Sequence, residues 1–93
     1  MSVVEAIKHG YAHPRDIDGV TCGLYRMLFT VGVFYDIDDG GSAGRICFDT
    51  WQNAELFLKD WDARSIPEVG VDGVKAIKLS PSATSRIRRP ADQ

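Results

Sequence analysis

The stretch FYDIDDGGSAG, residues 34–44, lies between two apolar segments and predicts the reversal of a β-hairpin. Asp and Gly are favoured in two-residue hairpin turns, because such turns need residues that tolerate a positive φ. With Asp39 and Gly40 as the turn, Val33 lies opposite Ile46, and the apolar faces of the two strands meet. Moving the turn one residue later keeps this match, whereas a three-residue loop mixes the two faces. The alternation therefore predicts a tight two-residue turn.

The segment before this turn, residues 24–35, predicts one long strand with alternating side chains. We expect its odd positions to form the buried face, because all of them are apolar or aromatic: Tyr25, Met27, Phe29, Val31, Val33 and Tyr35. The even face includes Leu24, Leu28 and Phe34, and a single helix across the odd face would leave it uncovered. Unless the N-terminal helix covers it, this even face is an apolar patch of the kind that marks a partner or dimer interface.

The segment FDTWQNAELFLKDWD, residues 48–62, predicts the main helix. Asp49 or Thr50 can cap its N-terminus. At helical spacing its apolar side chains form one core-facing stripe: Trp51, Ala54, Phe57, Leu58 and Trp61. Leu56 lies outside this stripe among polar residues, so we expect it to be exposed.

The N-terminal segment predicts a second, shorter helix. Ser2 and Glu5 have the spacing of a capping box, which predicts a helix over residues 3–9. Residues 10–23 contain a proline and several glycines and are interpreted as a loop, in which 20–22 could form a short edge strand.

These elements together predict an α+β fold, a small two-layer domain. We expect an antiparallel sheet of three or four strands, including strands at 44–48 and 74–79, with the main helix (about 50–62) packed across one face. The short N-terminal helix completes the architecture. We expect one domain, residues 1–79, followed by a flexible basic C-terminal tail, residues 80–93.

The charge distribution bears on the partner. The 93-residue chain has a net charge of −2, but the tail holds three arginines and one aspartate, so the rest has eight basic and twelve acidic side chains. An acidic body disfavours direct nucleic-acid binding, which needs clustered Lys and Arg, and it suits a protein partner with a basic surface. No apolar run approaches the roughly 20 residues of a membrane span, and no secretory signal is present. We therefore expect no membrane contact, a cytoplasmic location and two reduced cysteines.

The sequence offers little for metal or catalytic chemistry. A calcium loop that began at Asp36 would need an oxygen ligand at Gly40 and a glutamate at Cys47. A zinc site would need His9, His13, Cys22 and Cys47, but the two cysteines are 25 positions apart, unlike the close cysteine pairs of zinc motifs. Neither a nucleophile with its base nor a phosphate-binding loop is recognisable. We expect no metal, no cofactor and no enzymatic activity; an enzyme built on Cys47 or His13 is the least favoured alternative.

The hairpin of residues 24–48, followed by FDTWQNAELFLKDWD in a short acidic chain, resembles the small phage-encoded anti-CRISPR proteins. Those proteins share no common sequence motif, so no functional residue can be carried over. The resemblance implies a non-enzymatic inhibitor that binds a host nucleoprotein complex such as a CRISPR–Cas complex. Acidic side chains would then occupy surfaces meant for nucleic-acid phosphate. The candidate partner-binding residues are the acidic groups of the turn and the helix, together with the exposed leucine: Asp36, Asp38, Asp39, Glu55, Leu56, Asp60 and Asp62.

A small dimeric regulatory protein of the antitoxin kind is the alternative from another class. In that case the folded part dimerises through the even face of residues 24–35, and the Arg86–Arg89 segment contacts DNA or a toxin. The sequence leaves both a monomer and a homodimer open.

Overall fold

A computed structural model describes residues 2–38 and 41–79. The described chain forms two helices and five strands, in the order α1 (Val3–Lys8), β1 (Ala12–Ile17), β2 (Val20–Arg26), β3 (Val31–Asp38), β4 (Gly41–Phe48), α2 (Trp51–Asp60) and β5 (Val74–Leu79). The strands form one antiparallel meander, β1-β2-β3-β4-β5, and α2 packs against β2, β3 and β4. The α+β class is confirmed, but the expected three or four strands are wrong, because the chain makes two more reversals than predicted. The predicted tail, residues 80–93, lies outside the described residues.

The β3–β4 hairpin has the register predicted from its alternation. Val33 lies opposite Ile46, and the pairing continues to Asp38 opposite Gly41. Two residues therefore join the strands, as predicted, and both of them, 39 and 40, lie outside the described residues. This hairpin forms the centre of the sheet.

The long strand predicted over residues 24–35 is wrong, because the chain reverses in the middle of it. The Met27 amide donates to the Thr30 carbonyl at 2.8 Å, and Leu24 pairs with Val33 across β2 and β3. The four-residue turn brings an even-numbered residue of β2 opposite an odd-numbered residue of β3. As a result, β2 buries its even-numbered side chains in the core, and β3 buries its odd-numbered ones. The turn sequence MLFT contains none of the residues that usually mark a reversal, and its side chains continue the alternation.

Residues 10–23, predicted as a loop, form a second hairpin instead. Asp18 and Gly19 make its turn, and both have the positive φ that a type I′ turn requires (50° and 83°). Ile17 pairs with Val20 on either side of them. Because β1 is an edge strand, it can accommodate a proline, which has no backbone N–H to donate.

The N-terminal helix has the predicted cap. The Ser2 hydroxyl oxygen accepts a hydrogen bond from the Glu5 amide at 3.2 Å. The helix is capped by His9, the following Gly10 has a φ of 93°, and the Tyr11 amide donates back to the Ala6 carbonyl at 3.1 Å. This is a Schellman ending, in which glycine supplies the left-handed conformation without a steric cost.

The main helix and the sheet enclose the core. The Thr50 hydroxyl oxygen caps α2 by accepting from the Asn53 amide at 3.2 Å. The predicted stripe faces the sheet: three of its side chains are buried and two are half-buried. Trp61 packs edge-on against Tyr35, with ring centroids 5.7 Å apart. The inner face of the sheet contributes the remaining large core residues: Leu24, Val31, Val33, Tyr35, Ile46 and Phe48.

The outer face of the sheet, opposite α2, holds a separate aromatic cluster. The rings of Tyr11, Tyr25 and Phe34 lie 5.6–6.0 Å apart in edge-to-face arrangements, and the C-terminal end of α1 adjoins Tyr25. The even-numbered patch predicted for residues 24–35 therefore does not exist as one surface. Leu24 is buried in the core and Phe34 is half-buried in the outer cluster, while Leu28 lies in the turn.

Candidate functional site

The residues predicted to contact a partner do not form one surface. They occupy three places: the end of β3 (Asp36, Asp38), a cleft at the C-terminal half of α2 (Leu56, Asp60, Asp62) and a cleft beside β1 (Glu55). Asp39 lies outside the described residues.

At the end of β3, Asp36 is half-buried and Asp38 is exposed. Asp36 has a φ of 52°, a left-handed conformation that Asp adopts more readily than most residues. Burial raises the pKa of the neighbouring Cys22 thiol to about 12, although a hydrogen bond from the Asp36 amide acts in the opposite direction. Cys22 is therefore a thiol at neutral pH and is not poised as a nucleophile. Of the two aspartates, Asp38 presents more of its side chain to a partner.

The cleft at the C-terminal half of α2, here called the α2 cleft, is shallow, with a volume of about 270 Å³. Leu56 is 58% exposed, as expected from its position outside the stripe. The cleft combines apolar walls with a rim of carboxylates, which suits a partner segment that has both apolar and basic side chains. Its lining residues are Leu56, Phe57, Asp60, Trp61, Asp62 and Ser65.

Asp62 also holds the loop that follows α2. Its carboxylate accepts hydrogen bonds from the Arg64 amide at 2.8 Å, the Ser65 amide at 2.9 Å and the Ser65 hydroxyl at 3.1 Å. Partial burial raises the pKa of Asp62, but these hydrogen bonds outweigh it, so the pKa lies below its usual value. The Trp61 indole N–H closes the same loop by donating to the Ser65 carbonyl at 2.7 Å. Asp62 therefore shapes the α2 cleft as well as lining it.

Glu55 faces a different cleft, between α2 and β1, with a volume of about 400 Å³. Its carboxylate accepts the Trp51 indole N–H at 3.0 Å and lies 3.7 Å from Nε2 of His13. The Arg26 guanidinium lies over the same indole ring, 5.2 Å from its centroid. The Arg15 guanidinium of β1 donates a hydrogen bond to the Leu58 carbonyl of α2 and so joins the two walls of the cleft. The Glu55 carboxylate therefore contacts other side chains of the domain.

One end of the sheet is acidic. The end of β3 lies beside the start of β2, because the strands are antiparallel, and hence beside the β1–β2 turn. Arg64 forms a salt bridge with Asp18 of that turn at 3.1 Å, which ties the loop after α2 to the same place. The structure therefore brings three carboxylates to this end, which we call the acidic end: Asp18, Asp36 and Asp38.

The opposite end of the sheet bears an apolar projection that the sequence did not predict. Leu28 and Phe29, at the tip of the β2–β3 loop, are 86% and 87% exposed. Val69 and Val71, which precede β5, are exposed at the same end. The alternation had placed Phe29 on the buried face. Phe29 is exposed because the chain reverses at MLFT. No residue in that segment marks the reversal, so the sequence does not predict the exposure of Phe29.

The described residues contain neither a metal-binding cluster nor a membrane-spanning helix. Among residues 2–38 and 41–79, no group of three His, Cys, Asp or Glu side chains could hold a metal ion. No helix in this same part of the chain is long and apolar enough to cross a membrane. Comparisons of the chain with protein-family models, with curated proteins and with solved structures find no match.

Proposed function

We propose that the protein acts by binding another protein and not as an enzyme. The observation that carries this proposal is the exposure of two adjacent large apolar side chains, Leu28 and Phe29, on the β2–β3 loop. Single exposed apolar side chains are ordinary, but two neighbours at the tip of a hairpin form a projecting apolar group. Burying one such side chain contributes about 1.5–3 kcal/mol. The pair is therefore suited to anchor the domain in an apolar pocket of its partner.

The acidic end supports a more specific form of the proposal. Asp38 and its neighbouring carboxylates fit a partner whose surface is basic. Proteins that bind nucleic acid present such surfaces, because they neutralise phosphate charges with Lys and Arg. We therefore propose an inhibitor of a host nucleic-acid-binding complex, in the manner of the anti-CRISPR proteins that the sequence resembles. Its carboxylates would occupy positions that phosphates take in the active complex.

The two surfaces are well separated along the molecule. The β2–β3 loop and the acidic end lie at opposite ends of β3, whose eight residues extend over roughly 26 Å. A partner that contacts both must cover a strip of that length, which is compatible with an ordinary interface of about 800 Å² per partner. In this arrangement the apolar loop supplies most of the affinity, and the acidic end selects a basic partner.

The test is affinity capture from a lysate of the host cell, followed by mass spectrometry, with matched variants as bait. The first variant is Leu28→Ser/Phe29→Ser. The control is Val4→Ser/Ile7→Ser, which removes two exposed apolar side chains from α1. We expect the parent and the control to recover the same nucleic-acid-binding complex, and the loop variant to lose it.

A competition measurement separates inhibition from mere binding. Nucleic acid added to the recovered complex should release the protein, because both occupy the same basic surface. Retention of the partner by the loop variant would contradict an anchor at Leu28 and Phe29. Recovery of a partner that does not bind nucleic acid would leave the apolar anchor in place but refute the inhibitory mode.

A further inference from the structure

A pair of cations lies on the outer face of β4 and β5. Arg45 and Lys78 are directly opposite each other in the register of the two strands. Like charges in this position repel and destabilise the pairing. Within the part of the chain that the structure describes, neither side chain forms a salt bridge. In an acidic protein, a cross-strand pair of cations that forms no salt bridge within the described residues calls for an explanation.

Arg45 differs from an ordinary surface arginine, because its side chain is partly buried. Arg45 is half-buried, and its Nε is excluded from solvent without a hydrogen-bond partner among the described residues. A buried donor without a partner is uncommon in native proteins and often indicates a water or ion. Arg45 also lines a cleft, so part of its side chain can be reached by a ligand.

The two cations line an open cleft of about 350 Å³ at the end of the β4–β5 pair. Ser42 lines the same cleft and adds a hydroxyl group that can donate a hydrogen bond. The guanidinium fork binds two oxygens of one anion, and the ammonium group of lysine adds a compact positive charge. A tetrahedral oxyanion with two negative charges matches this combination of groups better than a single carboxylate does.

We propose that Arg45, Lys78 and Ser42 form a binding site for a phosphate group. Arg45 and Lys78 lie on the face opposite α2, and Ser42 pairs with Ile37, between Asp36 and Asp38 of the acidic end. The site is separate from the apolar loop and the α2 cleft, and anion binding goes beyond the protein-binding function proposed above. A bound phosphate group neutralises the repulsion between the two strands and accepts hydrogen bonds from the guanidinium and the ammonium group.

Titration with inorganic phosphate, followed by NMR of the backbone amides, tests the site directly. We expect shifts of the amides of residues 42–45 and 78–79 that saturate together, at constant ionic strength maintained with sodium chloride. Lys78→Gln should weaken the affinity about tenfold, since hydrogen bonds to charged groups contribute on that scale. Arg45→Gln should weaken it at least as much. Lys75→Gln, which removes an exposed lysine of β5 outside the cleft, should leave it unchanged.

Several outcomes would overturn the assignment. One is a shift that does not saturate or that chloride alone reproduces. Another is equal weakening by Lys75→Gln and Lys78→Gln, which would indicate nonspecific attraction to the charge of β5. A third is binding of acetate at the same amides as tightly as phosphate, which would refute the preference for a phosphate group. If Arg45→Gln fails to fold, the exposed Lys78 variant alone decides.

Discussion

Gly44 is a residue at which the packing of the sheet leaves no room for a side chain. A Cβ atom added there would lie 2.6 Å from Cδ2 of Leu79, 2.7 Å from the Lys78 carbonyl oxygen and 2.7 Å from the Tyr35 ring. The carbonyl oxygen belongs to the backbone and cannot move aside without disturbing the β4–β5 ladder. Glycine at this position therefore permits the close approach of β5 to the core.

We predict that Gly44→Ala lowers the free energy of unfolding by about 1–3 kcal/mol, the usual cost of overpacking. Urea denaturation measures the change, and Ser42→Ala, on the same strand but exposed, is the control. A loss below 0.5 kcal/mol, roughly the limit for an ordinary surface substitution, would mean that β5 shifts away from β4 at little cost.

The buried Cys22 thiol affects the stability of the domain at alkaline pH. Burial raises the pKa of its thiol from 9.0 to about 12 in the folded state. The unfolded chain therefore loses the thiol proton at a lower pH than the folded chain, so the contribution of the thiol to stability is complete below pH 9 and is lost as the pH rises toward 12. One pKa unit corresponds to about 1.4 kcal/mol.

We predict that a change from pH 8 to pH 10.5 destabilises the parent by about 2 kcal/mol more than it destabilises Cys22→Ala. Urea denaturation of both proteins at each pH measures the difference, and comparison with the variant cancels the titration of the other groups. An equal loss in both proteins would show that the Cys22 thiolate is tolerated in the fold.

At the scale of elements, the sequence predicts a helix or a hairpin correctly where a periodic apolar pattern is accompanied by a recognisable cap or turn. The β3–β4 register follows from Val33 and Ile46 on either side of an Asp-Gly pair, and α2 follows from its stripe and its cap. The β2–β3 reversal could not be predicted, because Leu28 and Phe29 continue the alternation and only the pairing of Leu24 with Val33 reveals the turn.

The same limit applies to the candidate site. The exposure of Leu56 and Asp38 follows from periodicity and from the position of a turn, and both are exposed. The exposure of Phe29 depends on a tertiary pairing, so the alternation alone predicts that Phe29 lies in the core. The separation of Glu55 from Leu56 into different clefts depends on the position of β1, which lies in a segment whose proline and glycines predict a loop.

The β1–β2 turn provides a test at this scale. Gly19 has a φ of 83°, and no atom lies within 4 Å of the position that a Cβ would take, so a substitution there changes backbone strain and nothing else. We predict that Gly19→Ala destabilises the domain by about 1 kcal/mol, because a side chain in the left-handed region costs roughly 1–2 kcal/mol. Gly19→Asn should cost less, since Asn adopts this conformation more readily. Thermal denaturation ranks the three proteins, and an equal loss for Ala and Asn would contradict a strain-based role.

In the whole molecule, an apolar surface and an acidic surface lie at opposite ends of one small sheet. Leu28 and Phe29 project from one end, and the carboxylates of the acidic end lie at the other, with β2 and β3 between them. Apolar and charged contacts differ in their kinetic consequences. Long-range charge attraction accelerates encounter, whereas short-range burial slows dissociation. If both ends contact one partner, each should affect a different rate constant.

We predict that Asp38→Lys lowers the association rate severalfold at low salt with little change in the dissociation rate. The effect should vanish near 1 M salt, where the Debye length falls to about 3 Å. Leu28→Ser/Phe29→Ser should instead raise the dissociation rate at every salt concentration. Surface plasmon resonance against the recovered partner measures both constants, with Glu68→Lys, an exposed charge reversal before β5, as the control. If Asp38→Lys and Glu68→Lys slow association equally, only the net charge of the protein matters, and the acidic end does not face the partner.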